Sequence, residues 1–207
     1  MKILDVKSLP LQGVKVIRFA RFRDSRGYFA EQMRASDISS HLGESCSKFV
    51  QANESFSNEN VMRGLHFQWN PYMGKLVRTL SGRMIDIVLD IRVNSSTAGK
   101  AIAYDMPAPI ADSNYDEWIW VPPGFAHGNF FSKPTKIEYL CTGEYNATCE
   151  ACISPVATDI DWSLCDPALR QIIDVPDRII SDKDKAGLMF KQWMSDDRSK
   201  NFNVELL

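Results

Sequence analysis

Across residues 83–93 the odd positions Ile85, Ile87, Leu89, Ile91 and Val93 are all β-formers, while Asp86, Asp90 and Arg92 mix charge with Met84 and Val88 on the even ones. That period of two describes a strand with one face in a core and the other partly polar. Residues 14–19, 49–53, 75–80, 117–121 and 137–141 are rich in β-branched and aromatic side chains and predict further strands. Ser81-Gly82, Asn94-Ser95-Ser96, Pro107-Ala108-Pro109 and Pro122-Pro123-Gly124 supply turns between them. Many short strands at modest spacing argue a mainly β sandwich or barrel of the jelly-roll type.

Helices are expected to be few, short and peripheral. Ser36 caps one running towards His41 and ending at Gly43, and Ser181 with Asp184 three residues on resembles a capping box opening a C-terminal helix through Trp193. The polar tail over residues 195–203 is expected to fray. With no internal repeat, low-complexity tract or linker, residues 1–207 read as a single domain.

The chain has 207 residues with 44% hydrophobic and 24% charged side chains, enough to bury a sizeable core. A net charge of -2 provides no basic field for nucleic acid, so an anionic ligand must be met by a local cluster. No apolar run approaches a membrane span, and the start Met1-Lys2-Ile3-Leu4-Asp5-Val6-Lys7 offers no signal peptide; a cytoplasmic protein is expected. Five cysteines, Cys46, Cys141, Cys149, Cys152 and Cys165, are an odd count and read as reduced thiols. Cys149 and Cys152 have C-x-x-C spacing, but without a second such pair or a thioredoxin-like setting they read as ordinary strand cysteines.

Two of the three histidines stand beside arginine, lysine and glycine in strand-like sequence: Arg63-Gly64-Leu65-His66-Phe67-Gln68, followed by Lys75-Leu76-Val77-Arg78, and Pro123-Gly124-Phe125-Ala126-His127-Gly128. A small β-barrel can line an anionic pocket in this way, with a histidine exchanging protons near neutral pH. A catalytic transition metal in such a barrel would want two histidines one residue apart. Here His66 is flanked by Leu65 and Phe67, and His127 by Ala126 and Gly128. Dinucleotide, P-loop and nucleophile-elbow motifs do not occur. Metal-free acid/base chemistry remains. Each residue also has a plain structural reading: Tyr139 as a core strand tyrosine, Asp184 as a helix cap, Lys75 as a solvated edge-strand charge.

Together the Arg63 to Gln68 run, Gly74-Lys75-Leu76-Val77-Arg78, the stretches over residues 86–92 and 120–128, and Tyr139-Leu140-Cys141-Thr142 resemble the dTDP-4-dehydrorhamnose 3,5-epimerase family. The similarity extends from Asp24-Ser25-Arg26-Gly27-Tyr28-Phe29 to Ser181-Asp182-Lys183-Asp184. The resemblance implies a homodimeric, cofactor-free cupin that epimerises C3 and C5 of dTDP-4-dehydro-6-deoxyglucose, giving dTDP-4-dehydrorhamnose. It implies His66 as base, Tyr139 as acid, Lys75 near the developing oxyanion and Asp184 orienting the histidine. It also implies Tyr145 stacking on the nucleotide base, and Arg26, Glu31, Gln51, Asn53, Arg63, His127, Glu150 and Lys183 holding the nucleotide sugar. An N-terminal strand of one subunit would help complete the other's site, with Gln51 and Asn53 serving the partner's pocket. Ala52 stands where the family commonly has aspartate, and Asn129 where an aromatic is usual. These departures bear on the identity of the nucleotide or sugar rather than on the acid/base core. The alternatives are an epimerase acting at one carbon or on another nucleotide-linked keto sugar, and a non-catalytic sugar-binding cupin. Retention of His66, Tyr139 and Asp184 argues against the last.

Overall fold

A computed structural model describes residues 1–43 and 48–204. Two antiparallel sheets face each other. The first runs in the order β1 (Ile3–Ser8), β2 (Lys15–Ala20), β10 (Tyr115–Val121), β7 (Lys75–Ser81), β12 (Thr135–Cys141), β5 (Gln51–Ser57). The second runs β13 (Glu150–Cys152), β6 (Val61–Gln68), β11 (Phe125–Phe131), β8 (Arg83–Asp90), β9 (Ala101–Pro107), with β14 (Ile179–Ile180) parallel to β6. Neighbours in space are seldom neighbours in sequence, because the chain repeatedly crosses from one sheet to the other. That is the jelly-roll arrangement expected, and a hairpin of β3 (Phe22–Asp24) and β4 (Gly27–Phe29) stands apart from it.

The β8 strand departs from expectation in an informative way. Its odd residues Ile85, Ile87 and Leu89 pack with Ile173, Trp193 and Phe202 of the C-terminal segment. Its even residues Met84 and Val88 pack with Val77, Ile119 and Phe131 between the sheets. Neither face meets solvent, so Asp86 and Asp90 are fully buried rather than lining a partly polar surface. Buried carboxylates need partners: Asp90 takes Arg92, Ser95 and Thr97, and Asp86 takes His127 and Asn129.

The helices correct three readings. The first, α1 (Ala35–Leu42), starts from Arg34, which makes no side-chain cap, so that Ser36 lies inside it, and it ends as expected at Gly43, whose φ of 92° suits glycine. The Ser181 hydroxyl does accept the Asp184 amide at 3.1 Å, yet α3 (Asp182–Lys185) stops after one turn. Leu188 is drawn into backbone hydrogen bonds with Cys152 and Ser154, and a Cβ on Gly187 would stand 2.7 Å from the Ser154 nitrogen. A separate helix, α4 (Phe190–Ser195), then carries Trp193. Another helix, α2 (Pro167–Ile173), begins with an Asp166 cap and proline in the first turn, signals that sequence reading passed over. Finally, the tail does not fray: Asp197–Asn201 form a 3-10 helix, and Phe202 is buried with its ring 5.3 Å from that of Trp193 and 5.5 Å from that of Phe67. Among the described residues no helix is long and apolar enough to cross a membrane.

Candidate active site

A cavity of about 530 Å³ lies between the sheets. On the first sheet Lys75 pairs with Cys141, Val77 with Tyr139, Tyr139 with Asn53 and Cys141 with Gln51. Alternation along each strand therefore puts Lys75, Tyr139, Asn53 and Gln51 on one face, the one lining the cavity. Ala52 falls on the opposite, exposed face of β5.

On the second sheet His66 lies directly between His127 of β11 and Cys152 of β13. Two glycines allow that approach. Gly64 has a φ of 110° and a Cβ there would stand 2.6 Å from the Gly128 Cα, while one on Gly128 would stand 2.3 Å from the Arg63 carbonyl. The backbones of the Arg-Gly-Leu-His and Ala-His-Gly runs touch because neither glycine carries a side chain.

Both nitrogens of His66 meet carboxylates: Nε2 lies 3.0 Å from Asp184 Oδ1 and Nδ1 2.9 Å from Glu150 Oε1. The two carboxylates differ in how they are held. Asp184 is buried, and its Oδ2 accepts the Gly64 amide at 3.2 Å. Glu150 sits nearer the surface, where its Oε2 accepts Lys183 Nζ at 2.9 Å and the Tyr145 hydroxyl at 3.2 Å. Burial tends to raise the Glu150 carboxyl pKa, but Lys183, His66 and Tyr145 together leave it below the usual range.

Opposite, Lys75 is pushed below its ordinary value by burial, against the pull of Cys141, Glu150 and Asp86. Burial raises the Tyr139 phenol, with Arg63 opposing, so this side chain keeps its proton at neutral pH. Arg63 is set by hydrogen bonds to the Ser57 hydroxyl at 2.9 Å and the Phe56 carbonyl at 3.4 Å. Gln51 accepts the Tyr145 backbone amide at 2.9 Å and so ties the Tyr145 loop to the pocket. His127 Nε2 lies 2.7 Å from Asp86 Oδ2, which also accepts the Asn129 amide at 3.0 Å.

The structure thus gathers His66, Tyr139, Asp184 and Lys75 around one cavity, with Gln51, Asn53, Arg63, His127, Tyr145, Glu150 and Lys183. Gln51 and Asn53 line the pocket of their own chain, on a strand paired along its length with β12. Arg26 and Glu31 are not brought to this cavity. Arg26 is exposed and paired with Asp24 at 2.6 Å; Glu31 pairs with Arg34 at 2.8 Å and the Met1 ammonium at 2.9 Å. Sequence reading missed Asp86 as the partner of His127, although a carboxylate between Ile85 and Ile87 in an otherwise apolar run was a usable signal. It also missed Ser181 as a lining residue. One set of potential metal ligands occurs among the described residues, His66, Cys152 and Asp184.

Two facing sheets in jelly-roll order, with ionisable side chains from both lining one cavity, define a cupin-type fold. The sequence profile of dTDP-4-dehydrorhamnose 3,5-epimerase matches residues 8–192, and the chain belongs to that family of isomerases. It is 40% identical over 144 residues to the dTDP-4-dehydrorhamnose 3,5-epimerase of Sinorhizobium fredii, covering 68% of this chain and 70% of that one. It is 32% identical over 190 residues to that of Neisseria gonorrhoeae; the match takes in 90% of this chain but spans only 56% of the Neisseria protein. The crystal structure of dTDP-6-deoxy-D-glucose-3,5-epimerase from Legionella pneumophila, in complex with dTDP-4-keto-L-rhamnose, superposes with a TM-score of 0.79 at 29% identity, covering 94% of this chain and 96% of that one.

Proposed function

We propose that this chain epimerises both C3 and C5 of a dTDP-linked 4-keto-6-deoxyhexose, converting dTDP-4-dehydro-6-deoxyglucose to dTDP-4-dehydrorhamnose without a metal. The observation that carries the reading is one cavity with a carboxylate-held histidine on one sheet and a protonated tyrosine beside a half-buried lysine on the other. A 4-keto group acidifies the protons on C3 and C5. His66 takes one of them, the electron pair moves to the C4 oxygen, Lys75 steadies that oxyanion, and Tyr139 returns a proton from the opposite face. Loss from one face and return on the other inverts the carbon.

The working nitrogen of His66 is Nδ1. Asp184 is fixed by the Gly64 amide and keeps a proton on Nε2, while the proton that Nδ1 donates to Glu150 passes to solvent as the sugar takes the place of Glu150. Glu150 already has Lys183 and Tyr145 on its second oxygen and is the carboxylate able to yield Nδ1 to the sugar. Arg63 and Lys183 supply cations for the diphosphate, Arg63 through a guanidinium suited to paired hydrogen bonds. Tyr145, 55% exposed, offers its ring to the nucleotide base, and His127, Gln51 and Asn53 hold the sugar.

The enzyme acts as a cytoplasmic homodimer in this reading. Arg26 lies on a hairpin whose Phe22, Tyr28 and Phe29 are exposed, a surface suited to meeting a second copy, with Glu31 just beyond it. Proton NMR of the protein with dTDP-4-dehydro-6-deoxyglucose in deuterated water tests the reaction. Deuterium should enter at C3 and at C5 with inversion at both; exchange at one carbon alone, or at neither, overturns it.

A further inference from the structure

We propose that His66, Cys152 and Asp184 form an inhibitory binding site for zinc or another thiophilic divalent cation, which switches off the catalytic base. The inference rests on the assignment of His66 as that base. The ligating atoms of the three side chains lie within 4.8 Å of one another. Ligands of tetrahedral zinc stand about 3.3 to 3.7 Å apart, given bonds of about 2.0 to 2.3 Å. Side-chain movement of about 1 Å therefore closes the set around an ion.

Three independent features support a metal site over a chance cluster. Cys152 and His66 are cross-strand partners, so the sheet itself holds thiol and imidazole on one face. The surrounding hydrogen bonds are those a zinc ligand uses: Glu150 on Nδ1 fixes the ring with Nε2 towards Asp184, and the Gly64 amide fixes the far oxygen of Asp184. The donor set of one thiolate, one imidazole and one carboxylate suits zinc and leaves a fourth position for water. Cys149, the other half of the C-x-x-C pair, is not among the ligands.

Occupation would silence the reaction for a definite reason. On binding, the Cys152 thiol and Nε2 release their protons to solvent, the ion takes the Nε2 lone pair, and Nδ1 keeps the proton it donates to Glu150. The imidazole then holds a proton on Nδ1 towards Glu150 and has no lone pair for the sugar. Asp184, committed to the ion, no longer orients a base.

The test uses the whole protein freed of metals by chelation. Titrated with cobalt(II), a spectroscopic stand-in for zinc, it should bind one equivalent with a thiolate-to-cobalt charge-transfer band. Zinc should displace the cobalt and inhibit turnover, and chelator should restore it. Cys152→Val should turn over normally, lose the band, and bind zinc at least about ten- to a hundredfold more weakly, since even an outer-shell partner of a metal is worth about that much. No charge-transfer band in the wild type, or equal zinc affinity in Cys152→Val, overturns the site. Because binding is read optically and by calorimetry, it is decided even if the sugar substrate proves wrong. A protein that binds cobalt but never turns over would instead count against the proposed reaction.

Discussion

Asp184 Oδ1 lies 3.0 Å from His66 Nε2 across 118 residues of sequence, while the other oxygen of the same carboxylate accepts the amide of Gly64, two residues before the histidine. One side chain therefore ties α3 both to the backbone of β6 and to the ring that β6 carries. Asp184→Asn should lower kcat by about two orders of magnitude with little change in KM, since general-base catalysis contributes about that much and substrate contacts are left intact. Steady-state kinetics checks this; a kcat within threefold or so of wild type would remove Asp184 from its orienting role.

The two faces of the cavity can be separated by isotope exchange. His66→Asn should abolish both solvent exchange and inversion, because no enolate forms. Tyr139→Phe leaves the base in place, so deuterium should still enter on the original face while inversion falls steeply. Inversion at the wild-type rate in Tyr139→Phe would mean that another group is the acid.

In the proposed reaction Lys75 should set an alkaline limit. Burial holds its folded-state pKa below the ordinary 10.5, so the folded chain releases this proton first as pH rises. Between that lowered value and 10.5 the unfolded chain binds more protons, and stability should increase with pH. Activity should fall over the same range, as the oxyanion loses its cation. Urea melts and kcat profiles measure the two trends; Lys75→Met should remove the stability rise, and an unaltered rise would trace it to another group.

Phe202 tests the docking of the C-terminal tail. Its buried ring meets Phe67, Tyr72 and Trp193 edge-on. Phe202→Ala should cost about 3 to 5 kcal/mol in urea unfolding, the usual penalty for emptying an aromatic site in a core. A loss under about 1 kcal/mol would mean the tail is not part of the folded unit.

The subunit arrangement is open to light scattering at micromolar protein, where a dimer is expected. Phe29→Asp, on a side chain 67% exposed, should shift it towards monomer. A wild-type monomer with full activity contradicts the dimer.

The strand pattern was legible because alternation is a local property of the pleat: β2, β7, β10 and β12 fall within a few residues of where β-branched and aromatic runs put them. The site motifs were legible too, since Arg63-Gly64-Leu65-His66 and His127-Gly128 are short, and each glycine answers a backbone contact on the neighbouring strand. Tertiary structure decided what local sequence does not contain. Whether the even face of β8 meets water depends on the sheet packed against it, and Asp86 became an interior partner of His127 only on that account. Ser181 and Asp184 specify the start of a helix, but its end after one turn follows from the hydrogen bonds of Leu188 to Cys152 and Ser154, made 34 to 36 residues away in the chain. The placement of Gln51 and Asn53 within the cavity was likewise fixed by strand pairing and not by residue type. Propensity and motif are set by neighbours in sequence, whereas burial, partner and helix length are set by whatever the fold brings into contact.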